Sequence, residues 1–298
     1  MRAILLPACL VITAAALPLA PRSPQPPEAT IEAVTDGVAV VFGEGGNIGL
    51  VHGEGGALTI DSQFARMTDV VMQRIGEVTD HEPRYLLNTH GHGDHVGGNE
   101  NMAGRGSIIV AHENVRGRME RGAKPPESRR VEPPAPAAAL PILTYDQGMQ
   151  LHWGDDVIEL RHLPRAHTDG DSLVRVVGAN VLHLGDTFFN GMYPYIDVSR
   201  GGSIDGLIDA AAVSLSLCDD DTRIIPGHGS VARRPDLQRY HDMLVGVRTA
   251  VLSAMDEADD PEDVISAQPT KAYDAEWGNG FMNPERFTAA VYESLSAR

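Results

Sequence analysis

The chain has 298 residues, of which 42% are hydrophobic and 22% are charged, so it can bury a sizeable core. Its 24 Lys and Arg residues against 41 Asp and Glu residues give a formal net charge of −17. A surface this acidic repels phosphate backbones, so we expect a small-molecule substrate and no nucleic-acid partner. Composition does not indicate an oligomeric state.

The N-terminus has the features of an export signal. Arg2 supplies a positive charge, and Ala3 to Ala20 form an apolar stretch of mostly small residues. We therefore predict a signal peptide at 1–20 and a proline-rich spacer at 21–30. The expected location is periplasmic or secreted, with no membrane span after removal of the signal. An uncleaved anchor is the alternative.

The remaining residues, 31–298, are predicted to form one domain with C-terminal helices. Short apolar runs between glycine-rich turns predict strands at 38–42, 48–52, 57–60, 84–88, 107–111, 149–153, 157–160, 173–177, 181–184 and 222–225. Longer runs with an apolar face predict helices at 64–78, 113–121, 204–217, 235–255, 261–267 and 284–295. Strands arrive in two groups, each followed by helices, which predicts an α/β domain with two inner sheets. Residues 122–141, rich in proline, alanine and charge, are predicted as a surface excursion or a lid.

The segment 89–99, THGHGDHVGGN, carries the strongest chemical signal. It directly follows an apolar strand, and α/β domains build their sites at strand ends. His90 and His92 are two residues apart, so in an extended segment both can face one metal. The intervening glycines let the chain turn, so that Asp94 and His95 can face a second position. Imidazole and carboxylate ligands in this density favour a zinc site over a solvent-exposed histidine-rich loop.

Three further candidate ligands lie beside other predicted strands. His167 precedes the strand at 173–177, Asp186 follows an apolar strand, and His228 follows the strand at 222–225. Each alone is weak evidence, because an isolated histidine or aspartate in a loop is more often structural than catalytic. Their consistent placement at strand ends makes them a set with the first motif.

The ordered set of motifs resembles the metallo-β-lactamase superfamily, from about Ile31 to about Tyr240. Asp61, the His-x-His-x-Asp-His block and the three later ligands match its five motifs in order. The resemblance implies a four-layered αβ/βα sandwich with metals in a cleft along one edge of the sheets. It implies a first metal held by His90, His92 and His167, a second held by Asp94, His95 and His228, and a bridging Asp186.

Such a ligand set is expected to hold two zinc ions per chain, although its ligand types also suit iron. Two cations that share one water lower its pKa, so a bridging hydroxide can attack a carbonyl near neutral pH. Asp94 is the predicted catalytic residue, because it would also orient this nucleophile. Asp61 is expected to hydrogen-bond a ligand or the motif loop. Asp169 and Asp171 are candidates to orient His167 or to cap a turn.

Departures from the family's patterns reduce the number of candidate substrate classes. One β-lactamase subclass has a lysine three residues after the bridging ligand, where this chain has Phe189, and the basic residues of glyoxalase II are also absent. An exported, acidic member with an aspartate bridge is expected to hydrolyse a small cyclic amide, ester or lactone, with a β-lactam as one candidate. A thioester, as in glyoxalase II, is the alternative. The candidate substrate contacts are Arg165, Arg175, Arg200, Tyr193 and Tyr195.

Two other classes of function remain in competition. An iron-dependent oxidoreductase, such as a persulfide dioxygenase, can use the same ligand types. A non-enzymatic accessory factor would not need a complete ligand set, so the sequence favours a hydrolase. The other histidines are expected to be structural or on the surface. Cys218, the only cysteine left after signal removal, is expected to be a buried thiol without a disulfide.

Overall fold

The computed structural model describes residues 27–122, 131–258 and 260–297. The predicted signal peptide 1–20 and most of the predicted spacer 21–30 lie outside these residues and stay predictions. Within the spacer, the first strand already begins at Thr30. Among the described helices, none combines the length and apolar character needed to cross a membrane.

Two mixed β-sheets face each other, and helices cover their outer faces. In spatial order the first sheet contains β1 (Thr30–Thr35), β2 (Val38–Phe42), β3 (Ile48–Gly53), β4 (Gly56–Ile60), β5 (Pro83–Leu87), β6 (Ile108–His112) and β7 (Leu143–Tyr145). The second sheet contains β8 (Gly148–Trp153), β9 (Asp156–His162), β10 (Ser172–Val176), β11 (Val181–Phe189), β12 (Arg223–His228) and β13 (Ala232–Arg233). The described helices are α1 (Thr68–Ile75), α2 (Gly93–Val96), α3 (Asn99–Gly104), α4 (Glu113–Arg121), α5 (Ile204–Ser216), α6 (Arg234–Glu257), α7 (Pro261–Ser266), α8 (Asp274–Trp277) and α9 (Pro284–Ser296).

The central strands, such as β2 and β11, bury both of their faces. In β2, Val38 and Val40 belong to the apolar core between the sheets, whereas Ala39 and Val41 belong to the core on the side of α1. Successive side chains of a strand point to opposite faces, so this alternation fills two cores at once. The outer face of the second sheet packs in the same way against α5, α6 and α9. The predicted four-layered αβ/βα sandwich is confirmed.

Parallel strands bring the candidate ligands towards one edge. The strands β4 to β7 run parallel to one another, as do β11 and β12. The histidine-rich segment 89–99 begins two residues after the end of β5, Asp186 lies within β11, and His228 is the last residue of β12. The register of β11 against β12 shifts on both sides of Gly185, which has a φ of 49°. A Cβ at Gly185 would lie 2.5 Å from Thr89 Oγ1, so glycine lets β11 approach the histidine-rich segment.

The structure corrects several predicted boundaries. β11 runs to Phe189 instead of ending at residue 184, so Asp186 lies inside a fully buried strand and not after it. The predicted helix 64–78 consists of a 3-10 turn, Ala65–Met67, followed by α1. The strands β1, β7 and β13 and the helices α2 and α3 are too short or too polar to show a clear hydrophobic period, and periodicity does not predict them.

Candidate metal centre

The seven predicted ligands lie together in two groups. Within each group, the candidate ligand atoms all lie within 4.8 Å of one another. The first group consists of His90, His92, His167 and Asp186, and the second consists of Asp94, His95 and His228. This division agrees with the two ligand sets that the family resemblance implies.

Asp186 lies between the two groups and turns one carboxylate oxygen towards each. Its Oδ2 lies 3.7 Å from His90 Nε2 and 3.5 Å from His167 Nε2. Its Oδ1 lies 3.0 Å from His95 Nε2 and 3.5 Å from His228 Nε2. Burial would raise the pKa of this carboxyl, but the positive charges of His95 and His228 outweigh burial and hold the pKa well below its usual range. Asp186 is therefore an ionised carboxylate positioned between two potential cation sites.

Hydrogen bonds fix which nitrogen of two imidazoles faces the first group. His92 Nε2 lies 2.9 Å from Asp197 Oδ2, and His167 Nδ1 lies 2.8 Å from the Tyr195 carbonyl oxygen. Because both partners only accept, these nitrogens carry protons, and His92 Nδ1 and His167 Nε2 are the nitrogens that face the first group. Burial and the neighbouring His92 lower the pKa of His167 to about 4, so its ring is neutral at pH 7. His92 Nδ1 and His167 Nε2 lie 2.8 Å apart. At this distance they share a hydrogen bond if His92 Nδ1 carries a proton, and if it does not, both can face one cation.

The side chains of His90 and His95 are also arranged to bind a cation. His95 Nδ1 donates to Asp61 at 2.7 Å, and His90 Nδ1 donates to the Thr89 hydroxyl at 3.0 Å. Apart from the 3.0 Å contact between His95 Nε2 and Asp186 Oδ1, their buried Nε2 atoms and Asp186 Oδ1 have no hydrogen-bond partner among the described residues. Although burial lowers the pKa of His95, the charges of Asp186 and Asp61 raise it well above its ordinary value, so this position attracts a proton or a metal ion. An unpaired buried polar atom such as His90 Nε2 costs about 1–3 kcal/mol. Three buried, underbonded ligand atoms side by side fit ligands for metal ions.

Of the three carboxylates predicted to support the ligands, Asp61 contacts one. It accepts hydrogen bonds from the Thr89 backbone and hydroxyl groups at 2.8 and 2.7 Å, in addition to the bond from His95. Asp169 instead accepts two hydrogen bonds from Arg118, and Asp171 accepts hydrogen bonds within its own turn at 2.7 and 2.6 Å. The ring of His167 is oriented by a backbone carbonyl, so neither Asp169 nor Asp171 orients it. Asp171 caps its own turn, which is the other role predicted for it.

Asp197 is a supporting residue that the sequence does not reveal. Besides His92, it accepts hydrogen bonds from the Ser199 hydroxyl at 2.6 Å and the Arg200 backbone at 3.1 Å. Burial would raise the pKa of Asp197, but the bonds from His92 and Ser199 lower it to about 2. Asp197 is therefore ionised and holds the ring of His92 in one orientation. It lies in a loop without a recognisable motif, and a single sequence carries no signal for it.

Replacing Asp197 by Asn is expected to weaken metal binding at the first group by about 10- to 100-fold, because His92 loses its charged hydrogen-bond acceptor. The affinity is measured by competition with a chromophoric chelator. The exposed Asp220 provides the matched control, since Asp220→Asn removes the same charge from a side chain that does not line the cleft. Equal affinities in both variants would show that Asp197 has no part in holding the ligand.

A cleft of about 970 Å³ opens over the two groups. In it the Asp94 side chain is 27% exposed and the Asp186 side chain 5% exposed, so Asp94 is the carboxylate that can contact substrate or water. Tyr195 lines the cleft, with its ring centroid 6.0 Å from that of His92. Tyr193, the other candidate, is buried in the core between the second sheet and the helices. The lid interpretation of 122–141 stays a prediction, because residues 123–130 lie outside the described chain.

The three arginines predicted as anion contacts do not supply a free cation to this cleft. Arg200 lines it, but its side chain pairs with Glu132 and, at 3.3 Å, with Asp197. Arg175 forms an ion pair between β10 and β9 at 3.6 Å. Arg165 lies in the turn before His167 and is not part of the cleft lining.

Comparisons with known proteins identify the family. Residues 41–231 match the sequence profile described as "Metallo-beta-lactamase superfamily". Hydroxyacylglutathione hydrolase GloC of Haemophilus influenzae is 32% identical over 161 residues, which are 54% of this chain and 74% of that protein. A hydroxyacylglutathione hydrolase of Polaromonas sp. is 30% identical over 190 residues, 58% of this chain and 64% of that protein, so less than two thirds of its length is spanned.

Solved structures agree on the fold. The inverting sec-alkylsulfatase Pisa1 from Pseudomonas sp. superposes with a TM-score of 0.67 at 15% identity, covering 89% of this chain and 50% of that one. The DIM-1 metallo-β-lactamase has a TM-score of 0.58 at 18% identity, covering 74% of this chain and 98% of its own. At sequence identities this low, the structural similarity supports the fold and does not support an activity. With its family profile, its two mixed sheets and its His/Asp site, this chain belongs to the metallo-β-lactamase superfamily, as a metal-binding hydrolase.

Proposed function

We propose that this chain is a dinuclear zinc hydrolase that cleaves the acyl bond of a small molecule, with a thioester or related ester as the first substrate class to test. One observation carries the proposal: the two oxygens of Asp186 face different ligand groups, His90 and His167 on one side and His95 and His228 on the other. A carboxylate in this position can bind two cations, one through each oxygen. A site for a single metal ion would need only one of these oxygens.

Zinc ions held by the two groups would polarise a substrate carbonyl and lower the pKa of a water molecule. The chain itself supplies orientation and proton handling. Asp94, exposed to the cleft, has its Oδ2 3.3 Å from His228 Nε2. Burial would raise the pKa of Asp94, but the hydrogen bond and charge of the neighbouring histidines lower it, so its carboxylate can accept a hydrogen bond from an attacking water. Asp61 and Asp197 keep His95 and His92 in fixed orientations.

The thioester class is supported by the names of the curated relatives, which are hydroxyacylglutathione hydrolases. A β-lactam is a less favoured substrate for a specific reason. Where the lactamase subclass has a lysine, the ring of Phe189 stacks on His228, with centroids 5.2 Å apart and an interplanar angle of 17°. This position offers an apolar face and no charge for a lactam carboxylate.

Metal analysis of the purified protein tests the proposal. We expect about two zinc ions per chain, loss of thioester hydrolysis on treatment with a chelator, and recovery on adding zinc. Hydrolysis of nitrocefin, measured in the same experiment, reports cleavage of a β-lactam. A content of one iron ion per chain would contradict the dinuclear zinc hydrolase and favour an iron-dependent oxidoreductase. Two zinc ions without turnover of thioesters, esters, lactones or nitrocefin would favour the accessory-factor interpretation.

Export is a separate proposal that rests on the apolar stretch from Ala3 to Ala20. Its test is N-terminal sequencing of the protein recovered from the periplasmic or extracellular fraction. A mature chain that begins within the proline-rich spacer is expected. A chain that retains Met1 in the cytoplasmic fraction would contradict it.

A further inference from the structure

The walls of the cleft above the metal centre are largely apolar. They include the side chains of Phe64, Met192, Tyr195, Val198, Phe281 and Met282. Phe281 is 68% exposed, which is costly for a large apolar ring unless a ligand covers it. Its ring centroid lies 6.3 Å from that of Tyr195, which in turn lies 6.0 Å from that of His92. An apolar surface therefore leads from the candidate metal ligands to the mouth of the cleft.

Two arginines line the same cleft, and they differ in how their charges are used. The Arg200 side chain is 7% exposed and is neutralised by Glu132 and Asp197. Arg286 is exposed, and its guanidinium lies over the ring of Phe281 at 4.8 Å. Its Nη1 donates to the Phe281 carbonyl at 3.2 Å. Within the described ranges 27–122, 131–258 and 260–297, Arg286 has no carboxylate partner at ion-pair distance.

The ring contact and the carbonyl bond hold the Arg286 guanidinium in place without neutralising it. A guanidinium has five N–H donors, so most of them are left for a ligand. The net charge of the chain is strongly negative, so most of its surface repels anions. The guanidinium of Arg286 is a localised positive charge at the cleft mouth, and an anionic group would bind there selectively. The contacts run from His92 to Tyr195, from Tyr195 to Phe281, and from Phe281 to the Arg286 guanidinium. A ligand that follows this series places an apolar body between its anionic group and the scissile bond.

We propose that Arg286 and Phe281 form a carboxylate-recognition position at the mouth of the cleft. The preferred substrate then carries three parts in order: an acyl bond at the metal centre, an apolar or aromatic body along Tyr195 and Phe281, and a carboxylate at Arg286. This inference rests on the proposed hydrolase function for the reaction, while the recognition itself is independent of turnover. The sequence offers no motif for it, because Arg286 belongs to α9, outside the residues 41–231 that match the family profile.

Isosteric acid and amide ligands provide the test. The substrates are the S-acetyl thioesters of 4-(mercaptomethyl)benzoic acid and of 4-(mercaptomethyl)benzamide, which differ only in the charged group. Non-hydrolysable analogues carry a methylene between the carbonyl and the sulfur. The zinc-loaded protein is expected to prefer the acid about tenfold, in kcat/KM for the thioesters and in Kd by calorimetry for the analogues, as for one charge-assisted hydrogen-bond pair.

Arg286→Gln is expected to reduce the acid-to-amide ratio to about one. Arg84→Gln is the matched control, because Arg84 is also exposed and packs over an aromatic ring, at 5.6 Å from Tyr85, but does not line the cleft. It should keep the wild-type ratio. An unchanged ratio in Arg286→Gln, or no preference for the acid in the wild-type protein, would overturn the inference. A calorimetric preference that Arg286→Gln removes, without turnover of either thioester, would uphold it and reject the thioesterase function alone.

Discussion

Asp186→Asn is expected to lower the metal content to one ion or fewer per chain and to reduce kcat/KM by at least about 10³-fold. Asparagine keeps the size of the side chain, but its amide nitrogen carries protons and cannot act as a ligand. One of the two groups therefore loses its oxygen. The amide is also neutral, whereas the buried imidazoles of His90 and His95 surround an ionised carboxylate in the native chain.

The comparison that isolates this effect uses thermal unfolding together with metal analysis. For the wild-type protein, zinc should raise the Tm, because it binds the folded chain in preference to the unfolded chain. For Asp186→Asn most of this shift should disappear. Asp155→Asn, which removes the charge of an exposed side chain, should keep the full shift and two ions per chain. Two bound ions and wild-type turnover in Asp186→Asn would exclude its bridging role.

Gly46→Ala should have the second largest effect, because a Cβ at this position would collide with a candidate ligand. The added atom would lie 2.1 Å from His95 Cε1 and 2.3 Å from His95 Nε2. His95 cannot swing away cheaply, since its other nitrogen is bonded to the buried Asp61 at 2.7 Å. We expect a loss of about 1–3 kcal/mol in the free energy of unfolding, as for other overpacked sites, and a loss of metal from the second group.

Gly93→Ala is the matched control, because among the described residues no atom lies within 4 Å of the Cβ it would add. Gly93 also begins α2 without a positive φ, so alanine there should be neutral or slightly stabilising. Urea unfolding of both variants, with and without chelator, separates the collision from the loss of metal. If Gly46→Ala unfolds like Gly93→Ala and binds the same amount of metal, His95 is not held as rigidly as its contacts indicate.

The layers of the fold and the candidate ligands are predictable from sequence because both depend on local patterns. Strands such as β2 are short apolar runs between turns, and the pairs of residues that matter for metal binding, such as His90 and His92, are close in the chain. The later ligands, among them Asp186 and His228, are weak signals one by one, and their order along the chain matches the motifs of the family. Distances between the seven side chains come only from the packing of the two sheets.

The residues that sequence does not reveal act through contacts between distant segments. Asp197 meets His92 because a loop after β11 folds back over the site, and nothing in its own neighbourhood marks it. Arg286 reaches the cleft because α9 packs beside that loop. Of the arginines that the sequence analysis names, Arg200 is neutralised and Arg175 forms an ion pair between two strands. A sequence does not show which arginine is left unpaired at a cleft, because pairing depends on how distant segments pack.

The candidate ligands come from both sheets: four follow β5 of the first sheet, and the other three belong to the second sheet or to its loops. Metal ions shared between them would act as cross-links between the two halves of the chain. Neither half alone contains a complete set for either group, because His167 completes the first and His228 the second. Metal uptake is therefore expected to be a late step of folding, after β12 has joined its sheet, and chelation should loosen the contact between the sheets before it melts either one.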